Sequence, residues 1–130
     1  MSRREYKSGT RWCVWRWTDV VLGRVLYLRR LHLIQTPLFS VMLHWIHRPD
    51  PQPHLHDHPV SFLSFVLRGF YVEKPGKTVW FARFMRATDK HRIVWVPPEG
   101  CLTLVFAGPV VRSWGFHTER GWVGWREYSK

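Results

Sequence analysis

Three histidines occupy alternate positions in the segment 53–59, which reads Pro-His-Leu-His-Asp-His-Pro. Alternate side chains of a β-strand project from the same face, about 7 Å apart along the strand. His56 and His58 can therefore direct both imidazoles at one metal ion, which a lone histidine cannot do. The run that follows, 60–69, is apolar, rich in β-forming residues and closed by a glycine. The segment predicts a strand that leads from a metal site into a core.

The rest of the chain shows the short apolar runs and turn residues typical of a β protein. A proline-rich loop, 49–53, precedes the histidine segment, and Pro75-Gly-Lys77 is typical of a hairpin turn. One short helix is predicted at 18–24. Strands are predicted at 26–35, 38–48, 60–68, 70–73, 78–85, 92–96, 101–107, 110–116 and 122–125. This pattern predicts an all-β fold: a single jelly-roll β-barrel over 26–130, preceded by a basic, Trp- and Arg-rich extension over 1–25.

The motif His56-Asp-His58, followed by a β run and Gly69, resembles the first metal motif of the cupins. The later stretch 89–107 is similar to the second cupin motif in order and spacing, because His91 is followed by a β run, Pro-Pro-Glu-Gly and another β run. The resemblance implies a cupin-type jelly roll in which His56, His58 and His91 bind a metal.

The chain departs from the cupin pattern at the carboxylate of the first motif, where it has Phe62 or Leu63, depending on the gap. The implied site therefore contains three histidines, as in the thiol dioxygenases of the cupin superfamily, which use three neutral histidines for Fe(II). The run 26–125 also resembles small, mostly uncharacterised cupin-like proteins of bacteria and phages that carry His-Asp-His-Pro, a later His-Arg and a Trp-Gly-Phe, here 114–116.

Neutral imidazoles suit several divalent transition metals, so Fe(II), favoured by the resemblance, stands beside Zn, Ni and Cu. Asp57 points away from the metal on a regular strand, and we predict that it orients the loop or a ligand's second nitrogen. His54 has the same parity as His56 and His58 and is predicted to be a second-shell or an exposed residue. The alternative is that the histidines form a solvated turn in a proline-rich loop and bind metal only adventitiously.

Three further residues are predicted to bind substrate. Arg68, Arg83, Arg92 and Arg112 lie on or beside predicted strands, where a guanidinium would clamp a carboxylate or phosphate at two points. Arg83 is preferred because Arg92 directly follows a predicted ligand and should point away from the metal. Trp114 begins the Trp-Gly-Phe motif and His117 follows it directly. His117 is either an acid or base at the barrel mouth or a surface residue. His44 and His47 lie three apart on a predicted strand and face opposite sides, so at most one approaches the pocket.

The chain carries 20 Lys and Arg against 9 Asp and Glu, a formal charge of +11 at pH 7. This charge favours phosphates and other polyanions as partners. Arginine and tryptophan interleaved near the amino terminus could bind nucleic acid through Arg11, Arg16 and their neighbours, but no nucleic-acid-binding motif accompanies them. A soluble basic surface, or an arm that packs on the barrel, is the alternative. A homodimer is also compatible with the sequence.

Two cysteines, Cys13 and Cys101, have neither disulfide nor zinc-knuckle spacing, and no signal peptide or apolar run of membrane-spanning length is apparent. We therefore predict a cytoplasmic protein without membrane association. No nucleophile triad, phosphate loop or carboxylate pair is apparent. The sequence favours a non-haem Fe(II)-dependent dioxygenase-type enzyme that acts on a small anionic substrate. The alternatives are a zinc-dependent hydrolase or isomerase, and a non-catalytic barrel that binds an anion or nucleic acid.

Overall fold

The computed structural model describes residues 13–22 and 25–128. Most of the basic amino-terminal segment that is predicted to contact polyanions, residues 1–12, lies outside the described residues. The strands are β1 Cys13–Leu22, β2 Val25–Gln35, β3 Ser40–Ile46, β4 Leu55–His56, β5 Phe62–Arg68, β6 Tyr71–Lys74, β7 Lys77–Val79, β8 Ala82–Met85, β9 Arg92–Trp95, β10 Cys101–Ala107, β11 Gly115–Thr118 and β12 Gly121–Gly124. One helical turn follows, α1 Trp125–Tyr128.

The strands form an antiparallel sandwich. One wall is a six-stranded sheet in the order β1-β2-β3-β10-β5-β8. The other wall consists of two three-stranded sheets, β12-β11-β4 and β7-β6-β9, which an isolated bridge between His56 and His91 joins. The predicted all-β jelly-roll architecture is therefore confirmed. Within the predicted extension 1–25, β1 pairs with β2 at the edge of the six-stranded sheet.

The predicted helix at 18–24 is wrong, because residues 18–22 belong to β1. This segment contains Thr18, Val20 and Val21, whose branched side chains favour extended backbone. Pairing with β2, with Thr18 opposite Arg30, supplies the backbone hydrogen bonds that an isolated helical turn would have had to form within itself.

Two predicted strands have different bounds in the structure. The run 78–85 is divided between β7 and β8, which lie in opposite walls, so the chain crosses the sandwich at Trp80 and Phe81. The run 110–116 contributes only its end to β11. Its earlier part is held against the loop 59–61, where the Val111 amide donates to the Pro59 carbonyl over 2.9 Å.

Gly69 occupies the turn position that the sequence predicted for it. Its φ of 85° lies in the left-handed region, and a Cβ there would lie 2.9 Å from the Gly100 carbonyl oxygen. This close approach lets β5 turn directly into β6 and so pass from one wall of the sandwich to the other.

Two apolar clusters fill the space between the walls. In the first, Leu28, Ile46 and Cys101 of the six-stranded sheet belong to the same buried cluster as Tyr71 and Ile93 of the opposite wall. The second gathers buried apolar side chains of β3 and β10 with Val60 and the partly buried Phe62; its other members are Met42, Val105 and Ala107. Residues of both clusters also line a cavity, which places the cavity inside the sandwich.

Candidate metal centre

Three histidine side chains converge at the seam between the two smaller sheets. His56 ends β4, His58 follows two residues later, and His91 immediately precedes β9. The amide of His56 donates to the His91 carbonyl over 2.8 Å, and the His91 amide donates back over 2.9 Å. Residues that exchange both hydrogen bonds in this way project their side chains from the same face of the sheet. The backbone pairing therefore accounts for the meeting of two histidines that are 35 positions apart in the sequence.

The three rings are close enough to share one ion. Their centroids are separated by 5.2 Å between His56 and His58, and by 4.9 Å from each of these to His91. One ring nitrogen from each lies within 4.8 Å of the others, and no second group of potential ligands of this kind occurs in the described residues. The histidines that the sequence indicated as metal ligands thus lie together.

A buried carboxylate supports His91 from behind. The Glu73 side chain is 1% exposed, and one of its oxygens accepts a hydrogen bond from Nδ1 of His91. Its other oxygen accepts from Nε of Arg83 over 2.6 Å. Burial would raise the pKa of Glu73, but the hydrogen bond and charge of His91, followed by those of Arg83, outweigh burial and lower the pKa. An ionised Glu73 holds the proton of His91 on Nδ1 and leaves Nε2 as the nitrogen available to a metal.

The surroundings of His58 favour a neutral ring. Burial lowers its pKa well below the ordinary value, and the charges of His56 and His91 lower it further. Phe62 packs edge-on against the His58 ring, with 5.0 Å between centroids. An aromatic ring thus lies against this histidine, at one of the two positions, 62 and 63, that could match the carboxylate of the cupin pattern.

Asp50 belongs to the proline-rich loop and reaches the site from the side. One carboxylate oxygen, Oδ2, lies 3.9 Å from Nδ1 of His56 and accepts the backbone amide of Ile93 over 2.7 Å. The loop 49–53 therefore places a carboxylate beside a second histidine of the cluster. The sequence showed the loop but did not indicate this carboxylate.

Asp57 links the histidine segment to the carboxyl-terminal strands. Its buried carboxylate accepts hydrogen bonds from the Gly115 amide, Nε1 of Trp122 and Nε2 of His117 over 2.8 to 3.0 Å, and it forms a 3.0 Å ion pair with Arg112. Burial would raise the pKa of Asp57, but these donors together lower it. None of these four partners is a histidine of the cluster, so these contacts tie Asp57 to the carboxyl-terminal strands and loop.

Gly115 makes this arrangement possible. A Cβ at this position would lie 2.2 Å from the Val123 carbonyl oxygen, a separation that no side chain tolerates. The glycine of the Trp-Gly-Phe motif therefore allows β11 and β12 to approach closely while its amide binds Asp57.

The other residues that the sequence indicated lie in different places. His54 hydrogen-bonds Tyr128 and Glu119 at the surface and is not part of the histidine cluster. Nε2 of His117 forms a hydrogen bond with Oδ2 of Asp57. Arg83 is engaged with Glu73 and is not among the residues that line the cavity. Trp114 does line the cavity, with its ring 6.1 Å from that of His56 and stacked on Trp125.

The histidines open into the cavity between the two walls, whose volume is about 220 Å³. Its walls are mainly apolar, but Arg30 and His44 line the six-stranded side. His47 instead stacks on Trp45, with 5.7 Å between centroids. His44 and His47 thus differ in placement as their spacing predicts. Asp50, Glu73 and Arg30 are the site residues that sequence reasoning missed. For Arg30, the available signal was its alternation with Leu28 and His32 along the predicted strand.

Similar solved structures include an Fe(II) HppE, with a TM-score of 0.56 and 17% identity over 72% of this chain and 56% of that chain. An RmlC-like cupin from Shewanella frigidimarina has a TM-score of 0.55 and 18% identity, covering 74% of this chain and 85% of that one. A putative mannose-6-phosphate isomerase from Ralstonia eutropha has a TM-score of 0.58 and 12% identity, covering 82% of this chain and all of that one.

These similarities define the fold. The chain is a cupin-type jelly roll, as its motifs suggested, and it spans little more than half the length of the HppE chain. No family model and no curated protein matches the sequence. In the part of the chain that the structure describes, no helix is both long enough and apolar enough to traverse a bilayer.

Proposed function

We propose that this protein is a small metal-dependent enzyme that carries out Fe(II)-dependent, dioxygenase-type chemistry on a small anionic substrate. The observation that carries the proposal is the convergence of His56, His58 and His91 on one side of a largely apolar cavity. Three protein ligands leave further coordination positions for small molecules, as in catalytic rather than structural metal sites.

The residues present fit a divalent transition metal. All three donors are imidazole nitrogens, which suit Fe, Zn, Cu and Ni. Glu73 fixes the tautomer and orientation of His91, and the Asp50 carboxylate lies 3.9 Å from Nδ1 of His56, close to it but beyond hydrogen-bonding distance. Carboxylates behind metal-binding histidines are a common feature of such sites, because they orient the ring and increase its basicity.

The charge of the donor set supports an anionic substrate. Neither Phe62, which packs on His58, nor Leu63 can supply the carboxylate of the cupin pattern, so three neutral ligands would leave the dipositive charge of the ion uncompensated by a direct ligand. A thiolate or carboxylate would be favoured beside such an ion. When bound, Fe(II) would supply coordination positions for a substrate donor and O₂, together with one-electron chemistry.

Aromatic residues around the histidines would shape the site and exclude water from it. Phe62, Trp114 and Phe116 line the cavity next to the histidines and restrict the access of water. Similarity to an Fe(II) HppE supports iron as the metal. Similarity to a putative mannose-6-phosphate isomerase favours the alternative, in which a zinc form of this protein carries out hydrolysis or isomerisation.

Metal analysis of protein purified without oxygen tests the site. We expect about one transition-metal ion per chain, and a sharp loss in His56→Ala, His58→Ala and His91→Ala. His54→Ala is the matched control, because it removes a histidine of the same segment that lies outside the cluster. Stoichiometric metal in the His56/His58 double variant would contradict the proposed site.

Oxygen uptake tests the reaction. Fe(II)-loaded protein is expected to consume oxygen with a small thiol or carboxylate, His91→Ala to abolish this uptake, and the Zn(II) form not to support it. If a broad panel of thiols, amino acids and oxo-acids gives no metal-dependent uptake while the zinc form turns over a hydrolysable or isomerisable substrate, the dioxygenase assignment is wrong.

A further inference from the structure

The six-stranded sheet is apolar on the side that faces away from the cavity. An antiparallel sheet of this kind ordinarily has apolar residues on its inner face and polar ones outside. Here His44, Ser64 and Thr103 line the cavity on the inner face. The outward positions are the odd-numbered ones on β3 and β5 and the even-numbered ones on β8 and β10, and every one of them has an apolar side chain. The usual pattern is therefore reversed on these four strands.

The outward side chains form one continuous surface. Leu104 of β10 lies opposite Leu43 of β3 on one side and Phe65 of β5 on the other. The ring of Phe65 has its centroid 6.1 Å from that of Phe106 and 6.4 Å from that of Phe81, where the chain crosses between the walls. The outward positions of β3, β5, β8 and β10, together with positions 80 and 81, are termed the outer sheet face.

The outer sheet face exposes an unusually large apolar area. Its most exposed large residues are 43 to 72% exposed: Trp80, Phe81, Phe84, Leu67 and Phe106. An aromatic side chain presents about 150–250 Å², so these five alone leave on the order of 600 Å² in water. The largest apolar patch of a typical monomer measures about 300–600 Å², and each partner of a stable complex buries about 800 Å². With its half-buried members included, the face has the area of a protein interface.

Electrostatics favour a second copy of this chain as the partner. The chain carries a formal charge of +11, so two copies repel each other wherever their basic surfaces meet. The outward positions of these four strands, all within the described residues, carry no ionisable group. Two copies that meet here would therefore bury no charge and would place no like charges opposite each other. A polyanion would instead be attracted to the basic parts of the surface.

The shape of the face also suits self-association. In a two-fold dimer the same patch of each subunit meets itself, so the patch must complement its own shape and charge. A sheet face without charges meets this condition, because two such faces pack about 10 Å apart with their side chains interdigitated, as in a β-sandwich. The only N–H group among the outward side chains, Nε1 of Trp45, already donates to the Glu99 carbonyl over 3.2 Å. The interface would therefore be as apolar as those of obligate homodimers.

We propose that the outer sheet face binds the same face of a second copy of this chain, so that the protein is a two-fold dimer with its six-stranded sheets packed together. The inner side of the same strands lines the cavity. The partner subunit would thus support one wall of the cavity from outside. The histidine cluster belongs to the opposite wall, so association does not depend on a bound metal.

Sedimentation equilibrium of the full chain tests the proposal. At micromolar concentration we expect twice the mass of the chain, which is 15.7 kDa. Phe84→Glu and Phe106→Glu should each raise the Kd of the dimer at least about 100-fold, because a carboxylate in each subunit would lose its water. Phe84→Leu keeps an apolar side chain and should remain dimeric. Val111→Glu is the matched control, since Val111 is 63% exposed but lies in the loop between β10 and β11.

Two measurements on the wild type need no variant. The Tm should rise with protein concentration, because association stabilises the folded chain. Hydroxyl-radical labelling of Trp80 and Phe84 should fall as the concentration rises, while that of Val111 stays constant. Added salt should leave the dimer intact, because it screens the repulsion between two basic subunits.

Three results would overturn the proposal. The first is a wild-type monomer whose Tm does not change with concentration. The second is a dimer that both glutamate variants leave intact, since its interface would then lie elsewhere. The third is a monomer that binds phosphatidylcholine vesicles and loses this binding in Phe84→Glu, which would assign the outer sheet face to a lipid surface.

Discussion

Glu73→Gln is the substitution that most directly tests how the site is supported. The carboxylate is 1% exposed and serves two donors, Nδ1 of His91 and Nε of Arg83. Glutamine has the same shape but a single oxygen, so its carbonyl can accept from one donor only, and its NH₂ group must face the other. Loss of a carboxylate partner of a metal-binding histidine typically lowers metal affinity about 10- to 100-fold, or about 1.4 to 2.8 kcal/mol.

Competition with a chelator, using Zn(II) or Co(II), measures this change. The same variant should be less stable by about 1 to 3 kcal/mol in the absence of metal, because one buried donor loses its acceptor. Arg83→Gln separates the two effects: it should reduce stability but keep most of the metal affinity, since the Glu73–His91 bond remains. Glu99→Gln, at an exposed turn, is the control. A Glu73→Gln protein that binds metal within twofold of wild type would refute the supporting role.

Three further substitutions test the scaffold. Asp57→Asn should lower the free energy of unfolding by about 1 to 3 kcal/mol, because the donors bonded to this buried carboxylate lose a charged acceptor. Denaturant titration beside Glu99→Gln, at an exposed turn, measures the difference; equal stability of the two variants contradicts the role of Asp57. Gly115→Ala should lower the free energy of unfolding by at least about 1 to 3 kcal/mol, because the added methyl group is overpacked against Val123. Each kcal/mol should lower the Tm by roughly 2 to 8 °C, so a Tm within 1 °C of wild type would exclude the close approach of the two strands. Folding lowers the pKa of His44, so the free energy of unfolding falls as the pH drops below the ordinary value of 6.5, because the unfolded chain takes up a proton there and the buried ring does not. His44→Gln should reduce the slope of the free energy of unfolding against pH in this range by up to about 1.4 kcal/mol per unit. An unchanged slope would exclude this contribution.

The histidine cluster was predictable because its information is largely local. His56 and His58 are two residues apart, and the two-residue period of a strand sets their common direction whatever the rest of the chain does. His91 required the resemblance to a known motif, since its distance from His56 in sequence carries no spatial information. The backbone exchange between these two residues is the physical reason that the motif works.

Arg30 and Glu73 were not predictable in the same way. Their roles depend on which strands become neighbours: β2 beside β3 for Arg30, and β6 beside β9 for Glu73. The run 78–85 read as one strand, but its division between the two walls leaves Arg83 at an ion pair with Glu73. Charge and alternation indicate that an arginine lies on a strand; long-range pairing decides what the arginine contacts.

Because the bridge between His56 and His91 joins the two smaller sheets, the proposed ion would also hold these sheets together. The sheets on either side are three-stranded, and β4 contributes only two residues, so each has a small cooperative unit of its own. An ion shared across the seam would couple the opening of one sheet to that of the other. Binding to the folded state alone adds about 2.7 kcal/mol at a ligand concentration of 100 times Kd. Loss of the ion would therefore lower the free energy of local opening of both sheets in this wall. The protection of the His56 and His91 amides from hydrogen exchange would measure that change.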